Sequence, residues 1–142
     1  MATGVQVVID CADPAKLAPF WADALGYVVQ PPPPGFGSWP DWLRAQSVPE
    51  ERWNDASAIV DPDRAGPRIF LQRVPEPKSV KNRVHLDLNV TAGVPGAEAD
   101  EKLEAEAKRL EALGATRVRK LEQWSGRWIV MQDPEGNEFC VQ

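Results

Sequence analysis

The sequence predicts an α+β fold in which two βαβββ modules form one curved, mixed sheet shaped like a cup, with the helices outside. Two observations lead to this prediction. The order strand, helix, strand, strand, strand occurs twice along the 142 residues, and three segments of the first half match three of the second half. We therefore expect a single domain of residues 1–142, with module 1 at about residues 1–79 and module 2 at about residues 80–142.

The internal repeat rests on short matches that recur in the same order. A single match of this length is weak, but three in one order are much less expected by chance. The matched segments are residues 5–9 with 84–88, 24–26 with 112–114, and 66–72 with 136–142. The separations differ, so the loops between the segments differ in length.

In the first half, each element is predicted by a local signal. The β-branched residues 5–9 predict a strand, and Asp13 followed by Pro14 predicts the start of a helix with Asp13 as the N-cap residue. Apolar residues then recur at helical spacing as far as Gly26, where the helix is expected to end. The other strands of this half are predicted at residues 27–29, 56–60 and 68–74.

Residues 31–55 interrupt this pattern. The prolines at 31–34 cannot join the interior of a sheet, since proline lacks the N–H donor, and Trp39, Trp42 and Trp53 follow them on a loop or short helices. Two roles remain open for these tryptophans: a small core that anchors the loop, or a lid of flat apolar surface over the cup. A ligand held between such rings would be planar or apolar.

In the second half, residues 83–90 alternate between apolar and polar side chains. This predicts a strand that packs Val84 against the helix and turns His85 and Asp87 to the open face. Residues 97–113 carry an apolar stripe at helical spacing and predict the strongest helix. The remaining strands are predicted at residues 115–121, 127–132 and 138–141, with a tight turn at 133–137.

The open face of the predicted cup is a natural small-molecule site, because one helix covers only one face of a four-stranded sheet. Alternation along the strands selects the side chains that face the cup, and it turns Arg68 and Glu138 inward as well. We expect the ligand to contact Gln6, Phe70, Gln72, His85, Asp87, Trp128 and Cys140. None of these side chains is assigned a catalytic role.

Composition and charge exclude some partners. The net charge is −5, with 21 acidic against 16 basic residues, and binding to nucleic acid requires a basic surface that neutralises phosphates. No apolar run approaches the roughly 20 residues of a membrane-spanning helix, and the N-terminus lacks the features of a signal peptide. Cys11 and Cys140 are expected to be reduced, small hydrophobic residues, so we predict a cytoplasmic location.

Three motifs resemble signatures of the vicinal oxygen chelate superfamily, which includes glyoxalase I, extradiol dioxygenases, bleomycin-resistance proteins and fosfomycin-resistance enzymes. They are Asp-Pro at 13–14 leading to Phe-Trp at 20–21, Ala-Leu-Gly-Tyr at 24–27, and Asp-Pro-Glu-Gly-Asn at 133–137. The resemblance covers nearly the whole chain apart from residues 31–60, and it implies a homodimer. Residues 73–78 with 82–88 also resemble a glyoxalase-like bacterial subgroup of unassigned chemistry, so the reaction does not follow from the fold.

Enzymes of this superfamily commonly hold a divalent metal through side chains on the first and fourth strands of each module, typically His or Gln, Glu, His and Glu. The resemblance places Gln6 and His85 at the first-strand positions. It places Phe70 and Cys140 at the fourth-strand positions, where phenylalanine cannot ligate and cysteine is a soft ligand suited to zinc. The resemblance therefore implies either no cofactor or a divalent metal held by Gln6 and His85.

Cys140 has two interpretations. It is either a small buried apolar residue or a thiolate that His85 activates from across the cup, which requires contact between the two side chains and some exposure.

These observations predict a cytoplasmic, glyoxalase-like protein that binds a small organic molecule in the cup without the usual metal site. The alternative is a metal-dependent lyase, isomerase or dioxygenase that uses Gln6 and His85, with the metal as Lewis acid on a chelated substrate. Whether the protein is an enzyme stays open at this point.

Overall fold

The computed structural model describes residues 1–142 and divides into two compact units, Met1–Pro77 and Lys78–Gln142. We call them module 1 and module 2. Each contains a helix and a four-stranded mixed sheet. The α+β class and the double βαβββ module are confirmed. None of the α-helices is both long and apolar enough to cross a bilayer.

Module 1 contains strands β1 to β4 and helices α1 and α2. The elements are β1 (Val7–Cys11), α1 (Pro14–Leu25), β2 (Val28–Val29), α2 (Trp39–Ala45), a 3₁₀ turn (Glu50–Arg52), β3 (Ala56–Val60) and β4 (Ile69–Arg73). The sheet order is β1-β4-β3-β2. Strand β1 runs parallel to β4, and the other neighbours are antiparallel. The short helix α2 and the 3₁₀ turn lie in the segment that the tryptophans mark.

Module 2 repeats this topology without the insertion. Its elements are β5 (Asp87–Leu88), α3 (Gly96–Ala112), β6 (Thr116–Gln123), β7 (Gly126–Gln132) and β8 (Glu138–Val141). The sheet order is β5-β8-β7-β6, again with the first strand parallel to the last. The turn before β8 forms as predicted, because the buried Asp133 accepts hydrogen bonds from the backbone N–H groups of Glu135 and Asn137.

The register of the two sheets agrees with the internal repeat. Val8 of β1 lies opposite Phe70 of β4, and Asp87 of β5 lies opposite Cys140 of β8. The sequence match equates Val8 with Asp87 and Phe70 with Cys140. Residues matched in sequence therefore occupy equivalent positions in the two sheets.

Each module buries an apolar core between its helix and one face of its sheet. In module 1, Leu17 and Trp21 of α1 are buried, as predicted for Trp21, together with the β3 and β4 side chains that alternate toward the helix. In module 2 the corresponding core lies between α3 and strands β7 and β8. The fully buried side chains of module 2 include Leu103, Leu110, Ile129, Met131, Phe139 and Val141. Burying each such side chain contributes about 1.5–3 kcal/mol.

The prediction of a strand at residues 83–90 is wrong in its length. Only Asp87–Leu88 form β5, and Val84 is 85% exposed where packing was predicted. Asp87 pairs with Cys140, so extending the parallel register places Val84 beside the turn that precedes β8. A residue there has no strand partner, and alternation alone does not make a strand.

Candidate functional site

The face of the module 1 sheet turned away from α1 carries a cavity of about 600 Å³. Phe70 and Ala58 form its floor, and side chains of the insertion form its walls. The apolar residues of the lining include Trp39, Leu43, Val48, Trp53, Ala56, Ala58 and Phe70. A cavity of this volume with a mainly apolar lining matches the size and character of sites for small organic molecules.

Trp39 and Trp53 are fixed by their own indole N–H groups. Trp39 Nε1 donates to the carbonyl oxygen of Gln30 at 2.7 Å, and Trp53 Nε1 donates to the carbonyl of Val48 at 2.9 Å. Trp42 packs edge-to-face on Trp39, with ring centroids 5.6 Å apart. Trp39 and Trp53 therefore fit both roles considered for the tryptophans, since they anchor the insertion and also line the cavity, whereas Trp42 does not line it.

Arg68 lines this cavity and makes several polar contacts. Its Nε donates to Gln30 Oε1 at 2.7 Å, and its Nη1 donates to Gln6 Oε1 at 2.8 Å. The guanidinium also lies over the Phe70 ring, with Cζ 5.4 Å from the centroid. Alternation along the strand predicted that Arg68 faces this side of the sheet, but Arg68 was not among the predicted ligand contacts. No sequence signal indicated a role for Gln30.

Gln6 and Gln72, both predicted as ligand contacts, lie outside the lining of this cavity. Gln6 contributes indirectly, because it holds Arg68. Gln72 is exposed and lines an adjacent groove with Arg73 and Val74. Of the predicted contacts in module 1, only Phe70 lines the cavity itself.

The corresponding face of module 2 carries a more polar cavity of about 420 Å³. It brings together four predicted contacts, namely His85, Asp87, Trp128 and Cys140. Lys81 and Arg119 also line it.

His85, Asp87 and Cys140 form one cluster. His85 Nε2 lies 3.4 Å from Asp87 Oδ1, and the imidazole, carboxylate and thiol ligand atoms of the cluster all lie within 4.8 Å of one another. His85 and Asp87 are partly exposed, with 39% and 43% of their side chains accessible, whereas Cys140 is buried. The cluster combines nitrogen, oxygen and sulfur donors, which are the ligand types that zinc takes in proteins.

The thiol of Cys140 is not activated in this environment. Burial raises its pKa, and the negative charge of Asp87 and a hydrogen bond to it raise the pKa further, although Lys81 opposes the shift. A nucleophilic cysteine needs the opposite, a lowered pKa. His85 and Cys140 belong to one module rather than to opposite walls, so the geometry favours the interpretation of Cys140 as a buried neutral residue.

The carboxylate of Glu138, which alternation turned toward the open face, is held by groups of module 2. One carboxylate oxygen accepts from the backbone N–H of Asn82 at 2.9 Å, and Lys78 Nζ lies 3.1 Å from the same carboxylate. Burial opposes ionisation, but the hydrogen bonds from the backbone N–H groups of Asn82 and Glu138 and from Lys78 outweigh it and lower the pKa to about 2. This carboxylate ties the start of module 2 to β8.

The donor set does not fit the four-ligand metal site that the resemblance implies. Phe70 offers no donor. The Gln6 oxygen that would ligate accepts a hydrogen bond from the cationic Arg68 instead, and a positive charge at this distance opposes binding of a metal ion. The His85, Asp87 and Cys140 donors fit a metal by chemistry, within module 2 alone. Joint ligation by Gln6 and His85 stays a prediction.

The paired βαβββ modules, each with a parallel first and last strand, define a class of protein, the vicinal oxygen chelate superfamily. A family model described as a glyoxalase-like domain matches residues 6–142. The chain therefore belongs to the glyoxalase-like family. A search of curated proteins found no match.

Several solved structures share the fold at low sequence identity. One is a variant of the fosfomycin resistance protein FosX from Listeria monocytogenes, complexed with Mn(II) and 1S,2S-dihydroxypropylphosphonic acid (TM-score 0.64, 14% identity, covering 100% of this chain and 90% of that one). Another is a glyoxalase/bleomycin resistance protein/dioxygenase family enzyme from Burkholderia phytofirmans (0.61, 16%, 96% and 94%). A third is the bleomycin-binding protein of Streptomyces verticillus complexed with copper(II)-bleomycin (0.56, 16%, 100% and 96%). At these identities the likeness concerns the fold alone.

Proposed function

We propose that the protein binds a small, largely apolar organic molecule in the module 1 cavity, without a metal ion. The observation that carries this proposal is the cavity of about 600 Å³ lined by Trp39, Trp53 and Phe70. Their rings offer flat apolar surface, and the hydrogen bonds that hold both indoles leave the rings in place before any ligand arrives. Little ordering is then required on binding, which favours affinity.

Two of the structural neighbours support a binding role by analogy. The Listeria protein was crystallised with a phosphonic acid, and the Streptomyces protein is a bleomycin-binding protein crystallised with copper(II)-bleomycin. Both proteins were thus crystallised with organic molecules. The fold is thus used for small-molecule binding. In this chain, the aromatic walls of the cavity favour planar, apolar ligands.

Thermal unfolding in the presence of planar aromatic compounds tests the binding proposal. A ligand at about 100 times its dissociation constant adds about 2.7 kcal/mol to the free energy of unfolding, which raises the melting temperature. Trp39→Ala is expected to weaken binding by about tenfold, because it removes a large apolar wall, whereas Trp39→Phe retains part of the affinity. Trp124→Ala, at a 99% exposed position in module 2, is the matched control. A panel that leaves the melting temperature unchanged would contradict the proposal.

The second candidate function is a metal-dependent lyase, isomerase or dioxygenase, and the cluster of His85, Asp87 and Cys140 favours it. A divalent ion held there would act as a Lewis acid on a chelated substrate. Titration with zinc by calorimetry, and with cobalt for the thiolate-to-metal absorption band, tests this candidate. His85→Ala and Cys140→Ser should abolish binding, and Cys11→Ser should not.

Gln6→Ala separates the two forms of this second candidate. If Gln6 and His85 share a metal, loss of the Gln6 amide weakens zinc binding; if the module 2 cluster holds the ion alone, the affinity is unchanged. Absence of zinc binding to the wild-type chain removes the metal-dependent candidate.

We also propose that the protein acts in the cytoplasm. Cys11 and Cys140 form no disulfide and are both buried, in keeping with a reducing compartment, where disulfides are rare. Fractionation of the source cells tests this location.

A further inference from the structure

Arg68 carries a charge on the wall of the module 1 cavity that has no counter-charge. The other charged side chains of the lining, Arg52 and Asp55, pair with each other, with Nε and Oδ2 3.0 Å apart. The hydrogen-bond partners of Arg68 are the neutral amide oxygens of Gln6 and Gln30. No carboxylate lies within ion-pair distance of Arg68, so the cavity has a net positive wall in a chain of net charge −5.

The guanidinium is held in place by groups from separate elements. Gln30 accepts from Arg68 through its side chain, while its backbone carbonyl accepts from Trp39 and its backbone N–H donates to Ala58 at 2.9 Å. Gln30 therefore connects the aromatic wall to the cation. Because the positions of both are set by the same residue, the cation and the apolar surface have a defined spacing.

We propose that the ligand of this cavity is a planar, apolar molecule that carries a carboxylate, and that Arg68 binds the carboxylate. This inference rests on the proposed binding function and specifies its ligand class. Gln30 accepts the single N–H of Nε and Gln6 accepts one N–H of Nη1, so the second N–H of Nη1 and both N–H groups of Nη2 are left for a ligand. Arginine pairs with carboxylates through two parallel hydrogen bonds, which are stronger than those between neutral groups.

The same arrangement selects against other ligands. A cationic ligand would place two positive charges in an apolar cavity, and an uncharged ligand would cover the guanidinium without neutralising it. Both cost free energy that a carboxylate avoids. Specificity of this kind follows from the difference in binding free energy between two ligands, not from the contact area of either.

Two probes with the same rings test the inference: naphthoate and its uncharged amide, naphthamide. Binding is measured by quenching of tryptophan fluorescence and by calorimetry. We expect the wild-type protein to bind naphthoate about tenfold more tightly than naphthamide, the gain from charge-assisted hydrogen bonds. Arg68→Met should reduce that ratio to about one. The variant should bind naphthoate more weakly and naphthamide as tightly as the wild type or more tightly, because methionine keeps an apolar side chain of similar length and leaves no charge for the amide to cover.

Arg73→Met is the matched control. Arg73 belongs to the same strand as Phe70 but does not line this cavity, so the substitution removes the same charge from the chain without touching the site. It should leave the preference for naphthoate intact. Arg68→Lys, which keeps the charge but not the paired donors, should retain part of the preference.

The outcomes separate this inference from the proposed function. Equal affinity of the wild-type protein for the two probes overturns the carboxylate inference and leaves the binding function standing. A preference that survives in Arg68→Met, or disappears in Arg73→Met, also overturns the inference. Binding of neither probe to the wild-type protein overturns both. The wild-type comparison decides the matter even if Arg68→Met does not fold.

Discussion

Glu138 shows how one carboxylate secures a connection that no regular element provides. It begins β8, and it accepts hydrogen bonds from Lys78 and from the backbone N–H of Asn82, in the segment that leads into β5. Its side chain is only 14% exposed, so these bonds form in a partly dry environment. Removing one partner there leaves buried polar groups without their bonds.

We predict that Glu138→Gln lowers the free energy of unfolding by roughly 1 to 3 kcal/mol, as expected for loss of charged hydrogen bonds. The wild-type contribution also depends on pH. The folded pKa of about 2 lies below the ordinary value of 4.5, so the stabilisation is present above pH 4.5 and is lost as the pH falls toward 2. Urea unfolding between these pH values measures both effects.

The control for Glu138→Gln is Glu122→Gln. This variant removes a carboxylate that is 66% exposed and pairs with Arg127. Exposed ion pairs contribute about 0 to 1 kcal/mol, so this variant should unfold close to the wild type. If Glu138→Gln loses stability with acid as steeply as the wild type does, the assigned role of the carboxylate is wrong.

Arg68 shows where inference from single residues ends. Alternation along the strand placed it on the open face, and the structure agrees. Its hydrogen bonds were not predictable, because Gln30 and Gln6 lie 38 and 62 residues from it in the chain. Short-range patterns in the sequence indicate which face of a strand a side chain occupies, whereas contacts between distant segments depend on how the elements pack.

The N-terminus of helix α1 is capped by a different residue from the one that the sequence predicts. Asp13 is the N-cap residue, but its side chain makes no capping hydrogen bond. Asn54, from the end of the insertion, accepts from the backbone N–H of Ala15 at 2.8 Å and donates to Asp13 Oδ1 at 2.8 Å. The cap of α1 therefore comes from a residue 41 positions away, and it ties the insertion to the helix.

We predict that Asn54→Ala destabilises module 1 by about 1 kcal/mol, the usual cost of losing a cap. The lower stability is measured by urea unfolding, and faster amide hydrogen exchange is expected in the first turn of α1. Gln46→Ala, at an exposed position that ends α2, should stay within about 0.5 kcal/mol of the wild type. Unchanged exchange at Ala15 would show that Asn54 is not the cap.

Most elements were predictable from local signals, and the failures have one cause. Helix α1 and strands β3 and β8 have the predicted bounds, since each begins or ends at a residue with a strong local preference. The strand at residues 83–90 shrank to Asp87–Leu88, because a strand needs a partner as well as a pattern. Capping by Asn54 was missed for the same reason, since the partner is distant in sequence.

The sheet edges bear on the oligomeric state of the whole molecule. Strands β1 and β2 end the module 1 sheet, and β5 and β6 end the module 2 sheet. Val28 and Val29 on the edge strand β2 are 46% and 43% exposed, and an exposed apolar edge is a surface for pairing with another chain. By contrast, the edge strand β6 carries several charged residues, which discourage pairing.

We predict a homodimer, seen by sedimentation velocity as a species of about twice the 15.7 kDa chain mass. Val29→Lys should shift the equilibrium toward the monomer if β2 takes part, because a charge at the edge opposes pairing. Val118→Lys, on the already charged edge β6, should have less effect. A monomer at all concentrations tested contradicts the prediction.

The amino-acid order by itself determined the duplicated βαβββ architecture, the family, and the position of Arg68 and Phe70 on the open face of the module 1 sheet. These properties follow from periodicity, turn residues and internal repetition, which are local or self-similar features. The contacts of several side chains depended on tertiary structure: those of Arg68 with two glutamines, of His85 and Asp87 with Cys140, and of Glu138 with Asn82. Such contacts join segments that are distant along the chain, so their distances arise from packing, and packing determines whether a side chain binds a ligand, a metal or its own backbone.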